Sequence, residues 1–239
     1  MRIGRVEGLE TDPIQKHDSI LPAARPFGYS LAMSQEKFET ITLTALDIEA
    51  VALSTIRAAI GEARYQYLSG PITGGRRLLE WHEVAGRELA EADYRSAKGA
   101  AVVEKNIKEV QLTAKRERDA HRNTIEPGSF EAEFEQWGQE DFLRFWEKVI
   151  EQHASHVKLM DGWEFSSGCA YELLCARKHG RPTFDMRGVQ LTNEAALELL
   201  DNALAEISAR HDPANSRDAE IVKLHAKITV SRKKVAALA

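Results

Sequence analysis

The chain has 239 residues, 43% of them apolar and 29% charged, with a formal net charge of -5; that length supports one core-bearing domain with appendages. The acidic balance excludes broad, sequence-blind binding to nucleic acid, which needs a surplus of cations. The most apolar segment, residues 41–60, carries Asp47, Glu49 and Arg57, which excludes a membrane span.

Residues 1–34 mix proline, glycine and charge without a period and read as a loose arm. They offer no apolar stretch of the kind an export signal requires. Cys169 and Cys175 stand six apart on one expected helix, turned away from each other, and match no metal or redox spacing. Reduced thiols and a cytoplasmic setting are expected, and no metal or other cofactor.

Over residues 35–63 the apolar positions Ile41, Ala45, Ile48, Ala52, Ile56 and Ile60 recur at helical spacing and predict an accessory helix. The next stretch, "YQYLSGPITGGRR" (65–77), joins a short aromatic-apolar run to a proline and three glycines. It reads as a buried strand, a glycine turn and the start of a helix reaching residue 90. Such a turn is either a tight corner or a place where a phosphate meets backbone N–H groups. Residues 91–122 hold eight basic and six acidic residues and read as a solvated helix of mixed charge. "RNTIEPGSF" (122–130) is a strand ending in a turn at Pro127-Gly128.

Residues 141–153 put Phe142, Phe145, Trp146, Val149 and Ile150 on one helical face. "HVKLM" (156–160) is a strand, residues 167–179 form a helix stopped by Gly180, and "RPTFDM" (181–186) is a further strand. Thr192 or Asn193 caps a helix running through residue 209. The tail, 213–237, repeats Ile221, Leu224, Ile228 and Val235 at helical spacing, as a packing or dimer helix does. His153 and His156 read as surface or capping residues rather than metal ligands.

Strands alternating with helices predict an α/β fold. The expected form is a Rossmann-like parallel sheet of about four or five strands flanked by helices, with additional N- and C-terminal helices. Right-handed crossovers bring the C-terminal strand ends to one edge, where open sheets bind ligands. Two turns fall on that edge: the glycine turn, and "LMDGWEFSSGCAYELLCA" (159–176). In the second, Glu172 sits in the second turn of a helix, on the side of Cys169 and Ala176. The hydroxyls of Ser166 and Ser167 and the helix N-terminus suit an anion. Two readings fit these residues. One is a carboxylate placed to attack a sugar carbon whose phosphate is anchored nearby; the other is a capped helix with a buried glutamate paired to an arginine.

The two motifs in this order, "YLSGPITGG" and then "DGWEFSSGCAYELLCA", resemble the nucleoside 2-deoxyribosyltransferase-like superfamily. That group includes the deoxynucleoside 5′-monophosphate N-glycosidases. The likeness covers 65–88 and 124–207, within a domain expected over 64–209; the N-terminal 60 residues, the polar insert at 91–122 and the C-terminal helix over 210–239 lie outside it. Members carry a Ser or Asp, then Gly, and a Glu six residues after that Ser or Asp, a spacing that Ser166 and Glu172 share.

The resemblance implies that Glu172 is a nucleophile forming a glycosyl ester at C1′ as the base departs, resolved by water or by a second base. It implies that Tyr67 lies beside the nucleophile. Gly70, Thr73, Gly74 and Gly75 would surround the 5′ end of the sugar, in a wall that also includes Ser69, Pro71, Ile72 and Arg76, with Gly168 at the start of the signature helix. Transferases of the group tend to carry Asp where this chain has Ser166. A hydroxyl there avoids repelling a phosphate, so the expected substrate is a nucleoside 5′-monophosphate. Asp141 matches a proton-handling Asp of the group, with Glu147 as the fallback on the same helix and Asp161 as another carboxylate at a strand end. Trp163 is a candidate wall for the base, and Glu126 stands where many relatives have Asn before Pro. The implied partners are a small nucleotide or nucleoside and, since relatives pair as dimers, a second copy of the chain. The alternatives are a deoxyribosyltransferase and a catalytically silent nucleotide-binding module.

Overall fold

Four short strands, Tyr65–Ser69 (β1), Thr124–Ile125 (β2), Ala154–Leu159 (β3) and Thr183–Phe184 (β4), form one all-parallel sheet in the order β2-β1-β3-β4. The computed structural model describes residues 45–61, 63–120, 122–129 and 137–238, all within one unit, Thr42–Ala239. The arm expected over 1–34 and the first part of the accessory helix lie outside the described residues. Among the described residues, eight α-helices accompany the sheet: Ala45–Ile60 (α1), Arg76–Val84 (α2), Glu91–Lys98 (α3), Glu104–Asp119 (α4), Gln139–His153 (α5), Ser167–Lys178 (α6), Asn193–Arg210 (α7) and Ala219–Ala236 (α8). This is the Rossmann-like α/β architecture with additional terminal helices. Among the described residues, no helix is long and apolar enough to cross a membrane.

The period of two along a strand sends alternate side chains to opposite faces. In β1, Tyr67 and Ser69 face α6, where both meet Glu172, while Gln66 and Leu68 face α4. β3 alternates in the same way: Val157 and Leu159 join the larger core, and Lys158 points to Glu117 of α4. The larger core gathers Phe145, Trp146 and Ile150 of α5, Leu173 of α6, Leu200 and Ile207 of α7, and Ile221 and Ile228 of α8. Each such side chain removed from water contributes about 1.5–3 kcal/mol. α8 packs on α6 and α7, so the apolar repeat of the tail is buried within its own chain.

The polar insert differs most from expectation. It is helical, but it is the β1-to-β2 crossover and covers the second face of the sheet. Val102, Asn106, Val110, Thr113, Ala114 and Glu117 form its buried stripe. Half of that stripe is polar, which hides the apolar period and makes the segment read as solvated. A wider, π-helical turn, Gly99–Val103, joins α3 to α4. The helix expected to reach residue 90 stops at Val84, and "RPTFDM" pairs only over Thr183–Phe184. Thr192, not Asn193, caps α7, accepting from the Ala195 N–H at 3.2 Å.

Candidate functional site

In this strand order the chain leaves β1 toward β2 on one side and returns to β3 on the other. The crevice at the C-terminal ends of β1 and β3 is where such sheets bind ligands. Both turns singled out in the sequence open there. The glycine turn follows β1, and the loop 160–166 follows β3 and leads into α6. One backbone bond ties them together: the Gly75 N–H donates to Phe165 O at 3.0 Å.

The glycines serve close approach and one left-handed residue. Gly75 has φ 83°, and a Cβ on it would stand 2.7 Å from Pro71 Cβ. A Cβ on Gly70 would meet Met160 Sδ and Val110 Cγ2, each at 2.6 Å. Asn106 of α4 holds the turn from outside, its amide donating to Ile72 O at 2.8 Å and Gly74 O at 3.0 Å. Arg77 bonds the Asn106 carbonyl and reaches Glu109 at 2.8 Å.

Across the crevice, Ser166 caps α6 by accepting from the Cys169 N–H at 3.4 Å. Glu172 lies one and a half turns further and is only 6% exposed. Its Oε1 accepts from the Tyr67 hydroxyl at 2.6 Å and its Oε2 from the Ser69 hydroxyl at 2.5 Å. Burial, reinforced by the Glu172 carboxylate, pushes the Tyr67 phenol well above its ordinary pKa, so the phenol stays a donor. Burial and then Glu172 push the Cys169 thiol up to about 12; it remains an uncharged neighbour.

The crevice is a cavity of about 400 Å³. Its walls include Gly70, Ile72, Thr73 and Gly74 from the turn, and Ser166, Ser167, Gly168 and Glu172 from α6. Phe142 and Trp146 of α5 add an aromatic side, with Trp146 edge-on to Tyr67 at 5.8 Å. Lys98 of α3 and Glu220, Lys223 and Lys227 of α8 close the remaining side. Among the described residues, no three His, Cys, Asp or Glu side chains converge as metal ligands.

Other residues singled out in the sequence lie elsewhere. Pro71, Gly75, Arg76 and Asp161 border a second cavity of about 210 Å³ on the far side of the turn. Arg76 stacks on Phe165 at 4.1 Å and pairs with Glu206 of α7 at 2.7 Å. Trp163 is 4% exposed and belongs to the core; the aromatic wall comes from α5 instead. Asp141 begins α5, where it accepts from the Gly138 N–H and pairs with Arg144 at 2.9 Å. Those two partners hold its carboxyl below the usual range. Glu147 is engaged by Tyr171, Lys178 and His179. Glu126 accepts from the Ser129 N–H and hydroxyl, and its neighbour Pro127 reaches the cavity. Asp141 and Asp161 thus stand off the cavity that Glu172 lines.

The sequence reading missed Asn106, Lys98 and the α8 residues. The lysines sit in segments whose charge reads as ordinary surface, and nothing local places them beside Glu172. Compared with protein-family models, curated proteins and solved structures, the chain finds no match in any of the three.

Proposed function

We propose that this chain is an N-glycoside hydrolase that cleaves the base–sugar bond of a nucleoside 5′-monophosphate, with Glu172 as nucleophile. The observation that carries this reading is the seating of one carboxylate. Both Glu172 oxygens are aligned by hydroxyls of β1, on the wall of a cavity that also contains the α6 N-terminus and an aromatic side. Hydrogen bonds to an ionised acceptor are worth about 1.5–3 kcal/mol each. Two of them restrict the rotation of the carboxylate, which favours in-line attack.

In the reaction, a Glu172 oxygen bonds to C1′ while the C1′–N bond breaks and the base leaves with the electron pair. The base takes up a proton from water or from an acid in the cavity. Water then adds at C1′ as the bond from C1′ to the Glu172 oxygen breaks, its proton passing to solvent or back to the group that protonated the base. This returns the carboxylate and releases the sugar phosphate with net retention. The N–H groups that open α6 and the Ser166 and Ser167 hydroxyls suit the 5′-phosphate, and Phe142 and Trp146 suit the flat face of the base.

The test is chromatography of free base released from a panel of ribo- and deoxyribonucleoside monophosphates. Wild type is expected to release base, and Glu172→Gln to lose about a thousandfold or more in turnover. An unchanged rate in that variant would sink the assignment. Capture of the sugar by an added second base identifies the transferase, and tight nucleotide binding without base release identifies a binding module.

A further inference from the structure

Three of the five charged side chains on the wall of the Glu172 cavity are lysines, in a chain whose net charge is -5. They come from segments outside the family resemblance: Lys98 from the end of α3, and Lys223 and Lys227 from α8. The last two are one turn apart on one face of the helix. Lys98 pairs with Glu220 at 2.8 Å and Lys227 donates to Gln139 at 2.6 Å. Among the described residues, Lys223 makes no salt bridge. Both α8 lysines are exposed at the side chain, so they border the open side of the cavity.

The helix that carries them is held firmly. Asp218, 1% exposed and directly before α8, bonds His82 of α2 and Arg87, each at 2.9 Å. His82 in turn meets Tyr94 of α3 at 3.1 Å. One buried network therefore links the segments that supply Lys98 and Lys223. Apolar residues Ile221, Leu224 and Ile228 lock the other face of α8 into the core.

We infer that Lys98, Lys223 and Lys227 form a phosphate clamp that makes the Glu172 cavity selective for a phosphate monoester over a free nucleoside. The clamp and the α6 N-terminus border the same cavity, so ammonium groups and backbone N–H groups together suit one phosphate. Glu220 is the counter-charge of Lys98. Selection by the C-terminal helix depends on the tertiary packing of α8 and on no residue of the two sequence motifs.

This inference rests on the monophosphate reading, and the experiment separates the two. Inorganic phosphate and ribose 5-phosphate are titrated calorimetrically into the full chain and into the Lys223→Gln/Lys227→Gln double variant. Both substitutions are at exposed positions, and an unchanged melting temperature verifies folding. The double variant is expected to bind either ligand at least tenfold more weakly, and the wild-type affinity to fall as salt rises. Its preference for nucleoside monophosphate over nucleoside, in kcat/KM, is expected to drop by at least the same factor. Equal affinity in the two proteins overturns the clamp, even where base release confirms the hydrolase. Lysine-dependent phosphate binding with no base release from any substrate supports the clamp and overturns the hydrolase.

Discussion

At the scale of single residues, the cavity depends on groups whose alternatives are sterically or electrostatically excluded. Tyr67 and Ser69 can both reach Glu172 because they are two apart on one strand and so share a face. A one-residue slip of β1 would present Gln66 and Leu68 instead. Gly75 is equally constrained: its φ of 83° lies in the left-handed region, and Pro71 fills the space a Cβ would need. Left-handed backbone costs a residue with a Cβ about 1–2 kcal/mol, and the contact with Pro71 adds to it. Gly75→Ala is therefore expected to lower stability by about 2 kcal/mol or more. Gly74→Ala, whose Cβ would find its nearest neighbour at 3.6 Å, is expected to cost less than half as much. Urea midpoints of the two variants measure the difference. Equal midpoints would show that the turn relaxes freely.

Among the elements, α4 has the least obvious role. Its sequence is dominated by charge, yet it covers a sheet face and holds the glycine turn through one amide, Asn106. Removing that amide leaves two buried carbonyls without their donor, which costs about 1–3 kcal/mol. Asn106→Ala is expected to destabilise by that amount. It should also raise amide hydrogen exchange at residues 70–75 well beyond the change elsewhere, because the turn loses its outside tether. Uniform exchange across the chain would refute a local tether. α5 illustrates the opposite case. Its apolar face is legible by period alone, but which of its aromatics reach the cavity is set by its angle to α6. Phe142 and Trp146 reach it, while Phe145 is fully buried.

The molecule as a whole is joined by buried carboxylates that bridge segments distant in sequence. Asp218 connects α2, α3 and α8, and Glu49 connects α1 to Arg144 and Lys148 of α5. Burial opposes the charge of Asp218, but the Asp212 N–H, His82 and Arg87 outweigh it and bring the pKa down to about 2. The same balance lowers Glu49, where Lys148 and Arg144 prevail over burial. A carboxyl whose folded pKa is depressed contributes stability that is complete above its unfolded pKa, about 3.9 for Asp and 4.3 for Glu. It loses that contribution as pH falls toward the folded value. The contribution of these two carboxylates is thus expected to be complete down to about pH 5 and to fall steeply between about pH 4 and pH 2. Asp218→Asn should lie about 3 kcal/mol lower at neutral pH and show a shallower acid limb. Chemical denaturation at a series of pH values gives both quantities; an acid limb as steep as that of wild type would remove Asp218 from this role.

What the sequence determined by itself is local. The order of strands and helices, the parallel α/β class, the glycine turn after Ser69 and the capped helix carrying Glu172 follow from short-range period, propensity and turn chemistry. These act over a few residues and are written in the residues themselves. The tertiary structure alone decided which distant groups meet. Lys98, Asn106, Lys223 and Lys227 enter the crevice region only because α3, α4 and α8 pack around it. Asp161 and Trp163, inside the second motif, and Arg76, directly after the first, are turned away by the same packing. The difference is physical: an amphipathic period records which face of an element is buried, but not against which neighbour, and that choice comes from the collective fit of side chains in the core.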